Sequence, residues 1–386
     1  MFSRRVPPDL TPNRVSALLG RLRLDGTRVI DLTESNPTRV GLAYPADIFR
    51  PLGRPAARVY DPQPFGLPGA REAVSADFAR RRLEVRPDHI VLTASTSEAY
   101  AVLFKLLCDP GDQVLVPHPS YPLFEHLTRF EGVEVEPYRL DYHGLWAIDL
   151  DSLARAISPR TRVILVVNPN NPTGSCLTAA EVQALDTLAE QHDLALIGDE
   201  VFADYPLDQR EWASVLQARK ALVFGLGGLS KSAGLPQVKL GWMALGGPDA
   251  LVRSALARLE IICDAYLSVS TPVQQAAPAL LAGGAGIRAQ VVARVQGNLD
   301  QLRVVARSFP SCRVLPAQAG WYAVIQVPAT RSEEAHVLAV LEECHVLVHP
   351  GYFFDFPREA FLVVSLLPPP DEFEPAVEQV LRHASA

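Results

Sequence analysis

Lysine is scarce in this chain. Only Lys105, Lys220, Lys231 and Lys239 occur, so the search for an amine nucleophile is short. Lys231 stands in a run of small residues, Gly225-Leu226-Gly227-Gly228-Leu229-Ser230-Lys231-Ser232. Asp199 and Glu200 form a carboxylate pair just after an apolar run at 194–197. Ala94-Ser95-Thr96-Ser97-Glu98 is small and hydroxylated and precedes a helical pattern. Such a turn leaves backbone N–H groups free for an anion or a phosphate. Tyr121 ends the stretch Pro117-His118-Pro119-Ser120-Tyr121, and side-chain amides crowd 168–174, which reads Asn-Pro-Asn-Asn-Pro-Thr-Gly. The glycines before Lys231 lack the spacing and the acidic partner of a dinucleotide-binding turn. Taken singly, each feature has an ordinary structural reading as an N-cap, a packing ring, a turn or a helix cap.

Their common position carries more weight. In an open α/β sheet, ligands sit at the carboxyl ends of the strands. The spacing predicts strands over 89–93, 113–116, 133–138, 162–167, 194–197, 221–224 and 240–245. Helical patterns alternate with them over 67–83, 97–108, 121–130, 149–157 and 178–192. The run at 162–167 is apolar and β-branched, as suits a strand covered on both faces. Such alternation implies a mostly parallel sheet with helices on both sides. Each chemistry-bearing stretch then follows a strand.

Beyond residue 247 the texture changes. Helices are expected over 248–263, 271–282, 287–308 and 332–344 and from 372, with strands near 312–315, 320–327, 345–348 and 361–366. This is the pattern of a smaller α+β domain, with 288–309 long enough to be a connecting rod. The chain therefore divides into an N-terminal arm and part of the small domain (1–45), a large domain (46–285) and a C-terminal small domain (286–386).

Composition narrows the classes. Of the 386 residues, 48% are apolar and 20% charged, which suits a globular chain with a substantial core. The net charge of −7 lacks the basic footprint of a nucleic-acid binder. Five scattered cysteines argue for reduced thiols in a cytoplasmic protein. No uninterrupted apolar run reaches the ~20 residues of a membrane span. The nine histidines show no metal spacing, and His345 and His349 read as packing or solvent-facing residues flanking a strand.

A lysine that forms a Schiff base, an acid that holds a pyridinium proton, a phosphate cup and a stacking aromatic are the parts of a pyridoxal phosphate (PLP) site. The order and spacing of Tyr60, Gly66-Leu67-Pro68 with Arg71, Ala94-Ser95-Thr96, Pro119-Ser120-Tyr121, 168–174, Asp199-Glu200-Val201 and Ser230-Lys231 with Gly241 resemble the class I/II aminotransferase family of fold-type I PLP enzymes. The similarity runs from about residue 32 to 373. It implies an α/β large domain with a smaller α+β domain, and amino-group exchange between a donor and a 2-oxo acid through a pyridoxamine intermediate. It implies that Lys231 is the Schiff-base lysine and proton carrier, that Asp199 faces the pyridine nitrogen, and that Asn171 donates to the phenolic oxygen. Tyr121 would stack on the ring. Ala94, Ser95, Thr96, Ser230 and Lys239 would hold the phosphate. Tyr60 would reach the neighbouring subunit's phosphate in a homodimer with shared sites. A PLP lyase or cyclising enzyme uses the same carbanion, and a non-catalytic protein of this fold is a third reading.

Four positions depart from the family pattern. Phe202 replaces a tyrosine that donates to the phenolic oxygen, a loss that raises the imine pKa. Lys239 replaces a phosphate-binding arginine, giving charge without the bidentate fork. Gly228 stands where relatives often have serine. Val363 stands where relatives carry the arginine that grips the substrate α-carboxylate. Either another arginine compensates, or the substrate lacks that carboxylate, or transamination is lost. For the first reading, Asn36 and Arg39 are the expected substrate residues, with Arg358 behind them. Trp321 and Tyr322 fall in a strand that lines the substrate side in relatives, and Phe353, Phe354 and Phe356 form an aromatic loop suited to an apolar pocket.

Overall fold

The computed structural model describes residues 1–267 and 269–385. Its central sheet has eight strands in the order Ile90–Thr93, Gly241–Gly246, Val223–Gly228, Ala195–Asp199, Thr161–Val167, Gln113–His118, Glu134–Tyr142, Trp146–Ile148. The five strands from Val223–Gly228 to Glu134–Tyr142 run parallel. Gly241–Gly246 is antiparallel to both of its neighbours, and Trp146–Ile148 closes the far edge antiparallel. The expected mostly parallel sheet is therefore the observed one.

Its middle strands are buried along nearly their whole length. Alternate side chains enter opposite cores. Ile164 and Leu196 pack with Val74, Phe78 and Leu280 on one side. Val163, Ile197 and Phe224 pack with Leu103, Val252 and Leu259 on the other. Each such side chain stabilises the fold by about 1.5–3 kcal/mol. Local signals set the helix starts. Thr178 and Glu181 form a capping box, and Asp149 accepts from the Ser152 N–H at 2.8 Å.

The small-domain sheet has the order Arg313–Val314, Tyr322–Gln326, Phe361–Ser365, His349–Pro350, antiparallel throughout. One face, with Ala323, Ile325, Leu362 and Val364, packs on Val337, Val340, Phe373 and Val377 of its helices. The other face turns Val324, Phe361 and Val363 toward the large-domain core. The single strand expected at 345–348 is two: Val346–Leu347 pairs with Ile30–Asp31, and His349–Pro350 joins the sheet. The N-terminal residues also hold an unexpected helix, Arg14–Leu24, capped by Asn13 and packed through Val15 and Leu18 against this core.

The two helices expected over 271–282 and 287–308 are one, Thr271–Ala306. Glycines stand at 283, 284 and 286, and each costs a helix about 1 kcal/mol. Tertiary contact overrides that cost. An added Cβ at Gly284 would lie 2.4 Å from Ala233 Cβ, and one at Gly283 2.6 Å from Ile48 Cδ1. The helix is long and apolar enough to cross a membrane by composition alone. Its polar side chains instead tie the two domains together. Arg288 donates to the Ser232 carbonyl at 2.7 Å, and Arg294 to those of Val40 and Leu367 at 3.0 Å each. Asn298 donates to the Leu366 and Pro368 carbonyls. Gly284→Val is expected to lower stability by about 1–3 kcal/mol through overpacking against Ala233. Urea denaturation with an unchanged m-value measures it.

Candidate active site

The carboxyl ends of the parallel strands and the cavity-side face of the small-domain sheet enclose a cavity of about 230 Å3. Ser95, Thr96, Tyr121, Asn171, Asp199, Ser230 and Lys231 all line it, together with Ser35, Ser97, Phe202 and Tyr322. Sequence order became proximity because most of these end or follow a strand of one sheet, with Ser35 supplied by the N-terminal arm and Tyr322 by the small-domain sheet. Thr93 and Gly228 both pair with Gly241, which brings the 94–97 turn beside the Lys231 turn. A Cβ at 241 would press on the Ser95 backbone at 3.0–3.2 Å and push the turn by a few tenths of an ångström, which glycine avoids.

Ser95 caps helix Thr96–Leu107, accepting from the Glu98 N–H at 3.2 Å. Glu98 in turn accepts from the Ala94 N–H. The helix N-terminus thus opens on the cavity with three hydroxyl residues around it.

Asp199 is buried. The Tyr100 hydroxyl donates to its Oδ2 at 2.8 Å and the Val201 N–H to its Oδ1 at 3.2 Å. Burial pushes its carboxyl up, and those two donors pull it back. Glu200 faces away. It accepts from Arg81 at 2.6 Å, Ser214 Oγ at 2.7 Å and the Val215 N–H at 2.9 Å, which anchors the turn after the strand. Burial pushes the Lys231 amine down to about 8, against the opposing pull of Asp199 and Glu34. Its Nζ stands 4.7 Å from the Trp321 ring and 5.5 Å from the Phe202 ring.

Several expected residues lie elsewhere. Lys239 is exposed in a left-handed turn, φ 61°, outside the lining. Tyr60 is 69% exposed. The expected substrate residues Asn36 and Arg39 need correction. Asn36 spends its Oδ1 on the N–H and hydroxyl of Thr38, capping the turn Pro37–Arg39, and that turn leaves Arg39 exposed. The arm puts Ser35 on the cavity instead. Arg358 is also exposed, over the Phe361 ring. Val363 is fully buried, and the lining contains no guanidinium among the described residues.

Tyr100 and Ser35 escaped the sequence reading. Tyr100 sits at a core position of an amphipathic helix, and only the fold turns its hydroxyl to Asp199. Of the strand expected on the substrate side, Tyr322 lines the cavity, whereas Trp321 is fully buried.

The residues fit PLP. Asn171 lines the cavity, and its amide Nδ2, the atom that can donate to a ring oxygen, donates to no described residue. A dehydrated amine, an acid held by two donors, an amide with unused capacity and a hydroxyl-rich helix N-terminus match an aldehyde, a ring nitrogen, a ring oxygen and a phosphate.

Residues 58–380 match the family model of aminotransferase class I and II. The chain belongs to that family. It is 28% identical over 375 residues to the glutamate-pyruvate aminotransferase of Escherichia coli K12, covering 95% of this chain and 92% of the relative. It is also 28% identical over 375 residues to the alanine aminotransferase of Mycobacterium tuberculosis H37Rv, covering 93% and 86%. The solved alanine aminotransferase of Pyrococcus furiosus superposes with a TM-score of 0.89 at 26% identity, covering 99% of each chain. The protein is an aminotransferase, in a family whose members use PLP.

The lowered amine has a direct consequence. A free amine is the species that attacks an aldehyde, and an unperturbed lysine titrates near 10.4. The rate at which cofactor-free protein captures PLP is expected to rise with pH and level off above about 8, followed by stopped-flow absorbance. Phe202→Tyr restores a hydroxyl donor that favours the deprotonated form, so the visible band of the loaded protein is expected to titrate about one unit lower.

Proposed function

We propose that this aminotransferase moves an amino group from an amino acid to a 2-oxo acid on PLP held by Lys231. The observation that carries this reading is the dehydrated Lys231 amine sharing one cavity with buried Asp199 and the unpartnered Asn171 amide. When bound, PLP supplies an electron sink next to the substrate's α-carbon.

The chain's own groups do the rest. Lys231 holds the cofactor and then carries the proton at the α-carbon. Asp199, whose carboxylate form Tyr100 and the Val201 N–H favour against the effect of burial, keeps the ring nitrogen protonated. Asn171 donates to the ring oxygen, and Tyr121 covers the ring face. Ser95, Thr96 and Ser230 take the phosphate, while the Ala94 N–H, held by the Glu98 carboxylate, fixes the turn. Lys239 and Tyr60 complete that end in a cytoplasmic homodimer with shared sites. The exposed apolar side chains Val59, Tyr60, Tyr266 and Leu267 support a second copy, and the five free cysteines support a reducing compartment. The relatives' names make alanine and glutamate the first donors to try and pyruvate the first acceptor.

The test separates the half-reactions. Alanine or glutamate alone is expected to convert the visible band of the loaded protein, and a 2-oxo acid to restore it. Lys231→Ala is expected to abolish both changes. Ammonia release without an acceptor, or an unchanged band with every amino acid, overturns the reading.

A further inference from the structure

An amino-acid donor carries a carboxylate next to the reacting carbon. Burying that charge without a donor is expensive. Lys231 is the one cation on the lining among the described residues, and it is the nucleophile. Arg39 and Arg358 are exposed and outside the lining. The carboxylate must therefore be met by uncharged groups of the lining itself.

Most of those groups have other work. Ser95, Thr96, Ser97 and Ser230 stand at the helix N-terminus and the Lys231 turn, the phosphate end. Asn171 serves the ring oxygen and Tyr121 the ring face. Two hydroxyls remain, Ser35 and Tyr322. They come from opposite ends of the chain, and backbone pairing brings them together. The Leu32 carbonyl accepts from the Ser365 N–H at 2.6 Å, and Ser365 pairs in register with Tyr322. The arm is thus stitched to the small-domain sheet just before Ser35. Its other polar side chains are spent locally: the Thr33 hydroxyl donates to Asp31, Glu34 accepts from the Asn36 N–H, and Asn36 accepts from Thr38.

The Tyr322 phenol keeps its proton. Burial pushes it up, the Ser35 hydroxyl beside it pulls it back, and Glu34, outside the lining, pushes it up again. The phenol also lies near the reacting atoms. Its ring meets the Phe202 ring edge-on with centroids 6.1 Å apart, and the Phe202 ring stands 5.5 Å from Lys231 Nζ. Burial and then Tyr322 push the Tyr121 phenol up to about 12, so the two tyrosines sense each other across one cavity.

We infer that the Ser35 and Tyr322 hydroxyls together hold the donor's α-carboxylate. The inference rests on the amino-acid reading above. Each O–H gives the incoming anion a charge-assisted hydrogen bond, stronger than one between neutral groups.

Two reagents isolate the carboxylate. Aminooxyacetate and O-methylhydroxylamine both react with the carbonyl of bound PLP and bleach its visible band, and only the first carries a carboxylate. The readout is the ratio of their second-order rate constants on the loaded protein, divided by the same ratio for free PLP. Wild-type protein is expected to prefer aminooxyacetate. Tyr322→Phe removes only the oxygen and is expected to cut that preference by about tenfold, the worth of one charge-assisted hydrogen bond. Ser35→Ala is expected to cut it as well and serves if the first variant fails to fold. For alanine as donor, KM is expected to rise more than kcat falls. A preference unchanged in both variants overturns the proposal, whatever happens to the separate rates, and so does a wild-type ratio no greater than that of free PLP. A loaded protein that reacts with neither reagent overturns instead the PLP reading on which the proposal stands.

Discussion

A lysine amine and an aspartate carboxylate, both taken out of water in one cavity, set the terms for the structure around them. Dehydration pushes the amine toward neutrality and the carboxylate toward protonation. The two shifts serve opposite needs. A neutral amine is the reactive form, whereas a protonated Asp199 could not hold a ring-nitrogen proton. Among the described residues the fold therefore leaves the amine without a hydrogen-bonding partner and gives the carboxylate two donors, Tyr100 and the Val201 N–H. A buried charge with such donors persists, and one without them neutralises.

That asymmetry depends on rigid surroundings. Glu200, next to Asp199, is locked by Arg81, Ser214 and the Val215 N–H, so the turn that aims Asp199 has little freedom. The Lys231 turn is held from below by the Tyr205 hydroxyl on its own carbonyl and by Arg288 of the long helix on Ser232. The same helix grips the small domain through Arg294 and Asn298. One element therefore positions both the nucleophile and the sheet that closes the substrate side.

The cavity is economical in charge. Seven hydroxyl residues and one amide supply its uncharged polar groups, with one acid and one amine beside them among the described residues. A site of this kind orients ligands by placed hydrogen bonds more than by long-range attraction. It also makes the few donors on the small-domain face matter more than they would in a cavity studded with guanidinium groups.

The order of strands and loops was readable from the chain alone, because alternation of apolar runs with turns is a local property. So were Lys231, Asp199, Asn171, Tyr121 and the 94–97 turn, since each residue type is scarce or unusual in its context and each follows a strand. Tertiary structure decided what depends on long-range pairing. It joined two expected helices across Gly283 and Gly284, because the neighbours that make glycine favourable there are Ile48 and Ala233, far away in sequence. It turned Arg39 outward through a three-residue turn whose cap consumes Asn36. It gave Tyr100 to Asp199, and it set Ser35 beside Tyr322. Charge and hydrogen-bonding capacity are written residue by residue. Which of them meet is set by register, and register is a property of two strands at once.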